Sequence, residues 1–250
     1  MIQQLKTWFL LGCFLLGTPE AMAERSTLRV ALFDLKPFAS IEQGRPTGLI
    51  VDLVKEIFSR TDLKYTIQIL PYPRLREVMK RGHADVAIHY AANDPQKHIE
   101  IIGYTLGNQN IILPRAGLRI EKLEDLHGKT VAIIDSAKYD KRFDQDPLIL
   151  KMNVLDYETG YKLVKFKRAD AMIISSGAYA LFVKQADYDP KWLSKPFILN
   201  YKANALHVRS DLDDTIKKKL KTANKAVLAV YGKGQKGQPM LNALVEKKRD

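Results

Sequence analysis

The sequence predicts an α/β protein built as two Rossmann-like lobes joined by a two-segment hinge. Three observations predict it. Residues 28–89 alternate strand-like and helix-like segments in the order β-α-β-α-β, and residues 130–184 start the alternation again. Two extended segments, 110–113 and 197–199, stand where the chain would pass from one unit to the other and back. At 250 residues the chain can give each unit its own core.

The first lobe opens with LRVALF at 28–33, an apolar run suited to a strand buried on both faces. A loop at 34–38 and a turn at 43–48 follow. Ile50, Leu53, Val54, Ile57 and Phe58 then recur at helical spacing. Residues 65–70 alternate as a strand does. Pro73 opens a second helix holding Leu75, Val78 and Met79, and Gly82 stops it. Residues 85–89 make the third strand. In the second lobe a Gly128-Lys129 turn precedes a strand at 130–134. Residues 153–157 read as another strand, 159–166 as a helix, 169–174 as a strand and 177–184 as a helix. A last long helix, 214–231, is expected to pack on the first lobe. The division is then 24–110 with 201–250 for the first lobe and 111–200 for the second. Ligands of open parallel sheets sit at the carboxyl ends of the strands, so two facing lobes make a hinged clamp for one small molecule.

Residues 1–23 have a different character. Lys6 precedes a short apolar run, and Ala21-Met22-Ala23 ends it, the pattern of a secretory signal peptide cleaved after Ala23. The run is too short to span a bilayer. Leu10-Leu11-Gly12-Cys13 also resembles a lipoprotein signal, which would anchor the chain at Cys13. Cys13 is the only cysteine, so the cleaved chain has no disulfide, thiolate metal site or cysteine nucleophile. The net charge is +12, and cleavage leaves it there because Lys6 and Glu20 cancel. The cations are dispersed, and export argues against nucleic acid. An anionic ligand or membrane surface fits the charge better.

With these elements in order, the chain resembles the bacterial extracellular solute-binding proteins of family 3, receptors of ABC importers for polar amino acids. Lys36-Pro37-Phe38 after the first strand carries the resemblance, with residues 48–53 opening the first helix and 79–85 before the third strand. Residues 123–131 open the second lobe in the same manner, and 167–171 repeat the motif before its third strand. The resemblance implies the type II periplasmic binding fold and a monomer that binds a small molecule. It implies a membrane permease or sensor as partner, and no nucleic acid, cofactor or catalytic role.

The resemblance also points to site residues. Asp94-Pro95-Gln96-Lys97 stands where relatives start a helix carrying an arginine that grips the ligand carboxylate. Lys97 in a first helical turn would suit a bound anion, since the helix dipole disfavours a lone cation there. Tyr72 falls where an aromatic stacks on the ligand, and Arg74 follows it on the same stretch. His89 and Tyr90 end the third strand, in place of smaller hydroxyl residues. Leu35 stands where relatives show an aromatic lid, and Phe38 is expected to pack. In the second lobe Ser136 is expected at a helix start. Ser175 replaces the aspartate that pairs with a ligand α-ammonium, so either Asp135 or another acid serves, or the ligand lacks that group. Asp52, Asp85 and Asp170 read as structural. No metal spacing, phosphate loop or Ser-His-Asp order occurs. The expected function is a periplasmic receptor for a small polar or anionic, amino-acid-like solute. The alternatives are a sensor docking on a membrane receptor and a dehydratase-type enzyme on the same scaffold.

Overall fold

The computed structural model describes residues 27–90 and 97–231. The signal peptide, Asp94 and Pro95 lie outside the described residues.

Strand β1 (Leu28–Phe33) leads to a hairpin, β2 (Ser40–Glu42) and β3 (Arg45–Thr47), which the sequence presents only as a turn. Helix α1 (Leu49–Phe58), β4 (Tyr65–Leu70), α2 (Tyr72–Lys80) and β5 (Val86–Tyr90) complete the first lobe's run. Strand β6 (Ile99–Pro114) carries the chain across. The second lobe follows with β7 (Thr130–Ile134), α3 (Lys141–Gln145), β8 (Leu150–Val154), α4 (Tyr157–Lys165), β9 (Ala171–Ser175) and α5 (Ser176–Phe182). Strand β10 (Phe197–Arg209) returns, and α6 (Asp214–Tyr231) packs on α1 and β6. The strand order is β4-β1-β5-β10-β6-β9-β7-β8. Each lobe contributes three parallel strands, and the antiparallel pair β6/β10 runs through both. Among the described residues no helix is long and apolar enough to cross a membrane.

Both lobes repeat one local device. Before each third strand the chain turns through a left-handed residue, Gly82 (φ 69°) or Lys167 (φ 58°), and then reaches Ala-Asp. Asp85 N–H donates to the Arg29 carbonyl at 2.8 Å, and the Asp85 carboxylate accepts from Arg29 N–H at 2.8 Å. Asp170 does the same to Thr130, at 2.8 and 3.0 Å. Each aspartate thus ties the third strand to the first, and each also holds an arginine, Arg29 or Arg115. The structural role expected for these two residues is a specific pairing of strands.

The hinge is longer than its apolar pieces suggest. Residues 110–113 and 197–199 are the ends of 16- and 13-residue strands. Gly107 sits where these strands cross, with no room for a side chain. A Cβ there would lie 2.3 Å from the Lys202 carbonyl oxygen and 2.8 Å from the Tyr201 hydroxyl. Gly107→Ala is expected to cost about 3 kcal/mol, the upper end for overpacking, because backbone must move. Urea unfolding measures it; a loss below about 1 kcal/mol would show that the crossing relaxes freely.

Two assignments are corrected. The strand expected at 153–157 is β8, three residues earlier. Tyr157 is instead the first residue of α4, because the Asp156 side chain accepts from Thr159 N–H at 2.7 Å and caps the helix. Short α3, with Asp140 as its cap, has no apolar periodicity to reveal it.

Candidate ligand-binding cleft

Three carboxyl-end segments and one helix face, two elements from each lobe, surround a cavity of about 460 Å³. The first lobe supplies residues 34–37 after β1 and Pro71 after β4. The second supplies 155–158 after β8 and one face of α5 with Gln185 just beyond it. A volume of this size suits a small solute. A larger concavity of about 700 Å³ is lined by 117–121 and 194–198, from the second lobe alone, and lies at no strand end that faces the other lobe.

Tyr157 and Phe182 are the aromatic lining residues, and Tyr157 is backed by a cluster of further rings. Phe38 of the first lobe meets Tyr157 of the second edge-on at 6.5 Å. Phe38 also contacts Phe33, which meets Tyr72 edge-on at 5.9 Å. Burial pushes the Tyr157 phenol up to about 12, and the hydroxyl is bonded to Ser175. Tyr90 is also raised by burial, and Lys202 lies 5.3 Å from its ring centre. Desolvation lowers Lys202, whose ammonium donates to the Lys138 carbonyl at 3.0 Å. Asn108, Asn110 and Asn200 line the strand crossing between the lobes. Asn110 donates to Asn200 at 2.8 Å, and Asn200 donates to the Tyr139 carbonyl at 2.9 Å.

Several helix-start amides around the cavity are already satisfied. The first amides of α1, Leu49 N–H and Ile50 N–H, donate to the Pro37 and Phe38 carbonyls at 3.0 and 2.8 Å. At α5, Gly177 N–H donates to Asn108 Oδ1 at 3.1 Å and Ala178 N–H to Ser175 Oγ at 3.2 Å. At α4 the Asp156 side chain takes Thr159 N–H. These are the groups that ordinarily receive an anion at a helix N-terminus.

The seven residues singled out from sequence fare unequally. Tyr72 and Tyr90 are half-buried, and Ser175 is buried beside Tyr157 as the cap of α5. His89 is packed, not open to the cavity: its ring stacks on His207 at 3.8 Å and meets Tyr72 edge-on at 6.2 Å. Arg74 is on the exposed side of α2. Two helical contexts are corrected. Lys97 is exposed in a turn that runs directly into β6, so no helix continues past it and the dipole argument for an anion falls away. Ser136 is exposed, with φ 59°, and the next helix starts five residues later under Asp140. Asp135 is exposed as well.

Two lining residues escaped the sequence reading. Tyr157 was detectable from Asp156 standing before the apolar positions 157, 161 and 164. Asp34 directly follows the first strand, where strand-end logic places a ligand contact.

A cleft between two α/β lobes at facing strand ends, with both chain crossings at its back, defines a two-lobed solute-binding protein of type II architecture. The model of the bacterial extracellular solute-binding proteins, family 3, matches residues 28–246, and the chain belongs to that family. It is 25% identical over 193 residues to a probable amino-acid-binding protein, YxeM, of Bacillus subtilis, covering 75% of this chain and 73% of that one. It is 26% identical over 168 residues to PatH of Vibrio harveyi, a putative amino-acid ABC transporter-binding protein, covering 64% and 66%. Holo ArgBP from T. maritima has the same fold, with a TM-score of 0.67 at 22% identity over 91% of this chain and 98% of that one. The family is one of exported binding proteins.

Proposed function

We propose that the protein captures a small amino-acid-like solute between its lobes in the periplasm and delivers it, as a monomer, to an ABC importer. The observation that carries this reading is the cavity walled by strand-end loops from both lobes. The similarity to relatives named as amino-acid-binding and ABC transporter-binding proteins supports the solute class and the permease partner. Cleavage after Ala23 releases the chain, and lobes of 24–110 with 201–250 and 111–200 close about the crossing of β6 and β10. Of the residues chosen from the sequence, Ser175 touches the lining residue Tyr157 and Tyr72 belongs to the ring cluster behind it, whereas Lys97, Arg74 and Ser136 lie away from the lining.

The test is a thermal-shift screen of the purified protein against amino acids, organic acids and amines. A true ligand at a hundredfold excess over its Kd adds about 2.7 kcal/mol, visible as a rise of several degrees. Small-angle scattering should show a more compact particle with the same compound. A panel that shifts nothing would sink the reading.

A further inference from the structure

We propose that the cavity selects a solute carrying an amino group on an apolar, ring-bearing body, with the Asp34 carboxylate holding the ammonium. This rests on the solute-binding reading above and names its ligand class.

Charge accounting around the cavity favours a cation. Lys36 is the one cationic residue lining it among the described residues, and Glu42 holds its ammonium at 2.9 Å. Three acids line it: Asp34, Asp156 and Glu158. Asp156 is spent on the α4 cap, and Glu158 pairs with Lys162 at 2.6 Å. Among the described residues the Asp34 carboxylate makes no hydrogen bond, and its side chain is exposed at the cavity mouth. The amides of Leu49, Ile50, Thr159, Gly177 and Ala178, which could otherwise hold a carboxylate or phosphate, are already bonded to protein acceptors. An anionic solute finds these amides taken, whereas an ammonium finds a carboxylate with no hydrogen-bond partner among the described residues, its cationic neighbour Lys36 being held by Glu42.

The walls set the rest of the molecule. Leu35, Pro37, Tyr157, Leu181 and Phe182 present apolar or ring surface around the 460 Å³ space. An aromatic body gains area burial and ring contacts there, and a cation beside the Tyr157 face gains further. Ser175 has its hydroxyl engaged by Ala178 N–H and Tyr157, so it offers an ammonium nothing.

Matched probes separate charge from shape. Tryptamine and indole-3-acetate share a ring and differ in the sign of their charge. Calorimetry on the purified protein should find tryptamine binding at least tenfold tighter than indole-3-acetate. Asp34→Asn should weaken tryptamine at least tenfold and leave the unliganded melting temperature unchanged. Indole-3-acetate binding equally well, or tryptamine binding unaltered in Asp34→Asn, overturns the proposal. If neither indole compound binds while an acyclic amino acid does, the proposal falls and the solute-binding reading stands.

Discussion

Acidifying the protein from pH 7 to pH 4 is expected to remove on the order of 5 kcal/mol of stability, chiefly through two stacked histidines. His89 and His207 lie face to face at 3.8 Å with rings 10° from parallel, and both are buried. Burial, then the neighbouring ring, lowers His89 to about 3; burial lowers His207 to about 4. Arg76 adds a further repulsive charge toward His89, while Tyr72 faces it with an uncharged ring. Both groups fold as neutral bases with depressed values. The unfolded chain therefore binds more protons once pH falls below about 6.5, and stability drains away from there toward the folded values. His207→Phe keeps a stacked ring that cannot charge. It should lose about 1 kcal/mol at pH 7 with the ring's hydrogen bond, yet shed at least half of the acid sensitivity. Urea titrations at several pH values measure this. Assigned His89 and His207 resonances titrating near 6.5 in the folded protein would refute it. His89 Nδ1 meets the Tyr90 carbonyl at 2.7 Å, a bond that favours the charged ring and only partly offsets its burial.

Asp85→Ala is expected to cost about 3 kcal/mol and Asp170→Ala clearly less, although the two occupy equivalent places. The Asp85 carboxylate takes Arg29 Nε and Nη2, each at 2.9 Å, as well as the Arg29 amide, and Arg209 stands 3.6 Å away. It is 6% exposed, so its removal leaves Arg29 N–H without an acceptor and the Arg29 guanidinium without its counter-charge, while Arg209 keeps Asp211 at 3.1 Å. Asp170 has one arginine contact and a more open side chain, where solvent replaces part of what is lost. Asp85 is pushed up by burial but held lower overall by the bonds from Arg29, so its contribution also disappears in acid, below the histidine range. Denaturant midpoints for the two variants decide the matter; equal losses would mean that burial does not set the difference.

Most of the fold was legible in the sequence, because its strands and helices carry clean periods. The runs 28–33, 65–70, 130–134 and 214–231 match β1, β4, β7 and α6 to the residue. The crossing strands were only half visible, and the reason is chemical. Strand β6 holds Thr105, Asn108 and Asn110 buried, and β10 holds Asn204 buried. Asparagines and glycines in a row read as a loop, yet here their amides bond within the sheet or to the second lobe, as Asn204 does to the Leu106 carbonyl at 2.6 Å. The cleft was less legible still. Tyr72, Tyr90 and Ser175 were placed by strand-end logic and family likeness. The helical contexts expected for Lys97 and Ser136 are absent: Lys97 stands in a turn before β6, and the helix after Ser136 starts at Lys141. Asp34 and Tyr157 went unnoticed because one looked like loop and the other like the end of a strand.

The crossing pair also dictates an order of assembly. Strand β5 has β10 as its antiparallel neighbour, so residues 86–90 wait for 204–208, made more than a hundred positions later. The whole second lobe is threaded between them as one nested stretch, with its own parallel strands close together in the chain. During synthesis that inserted unit can mature early, while the amino-terminal unit keeps an open flank until the final strand arrives. The amino-terminal unit is therefore the last part of the fold to become rigid.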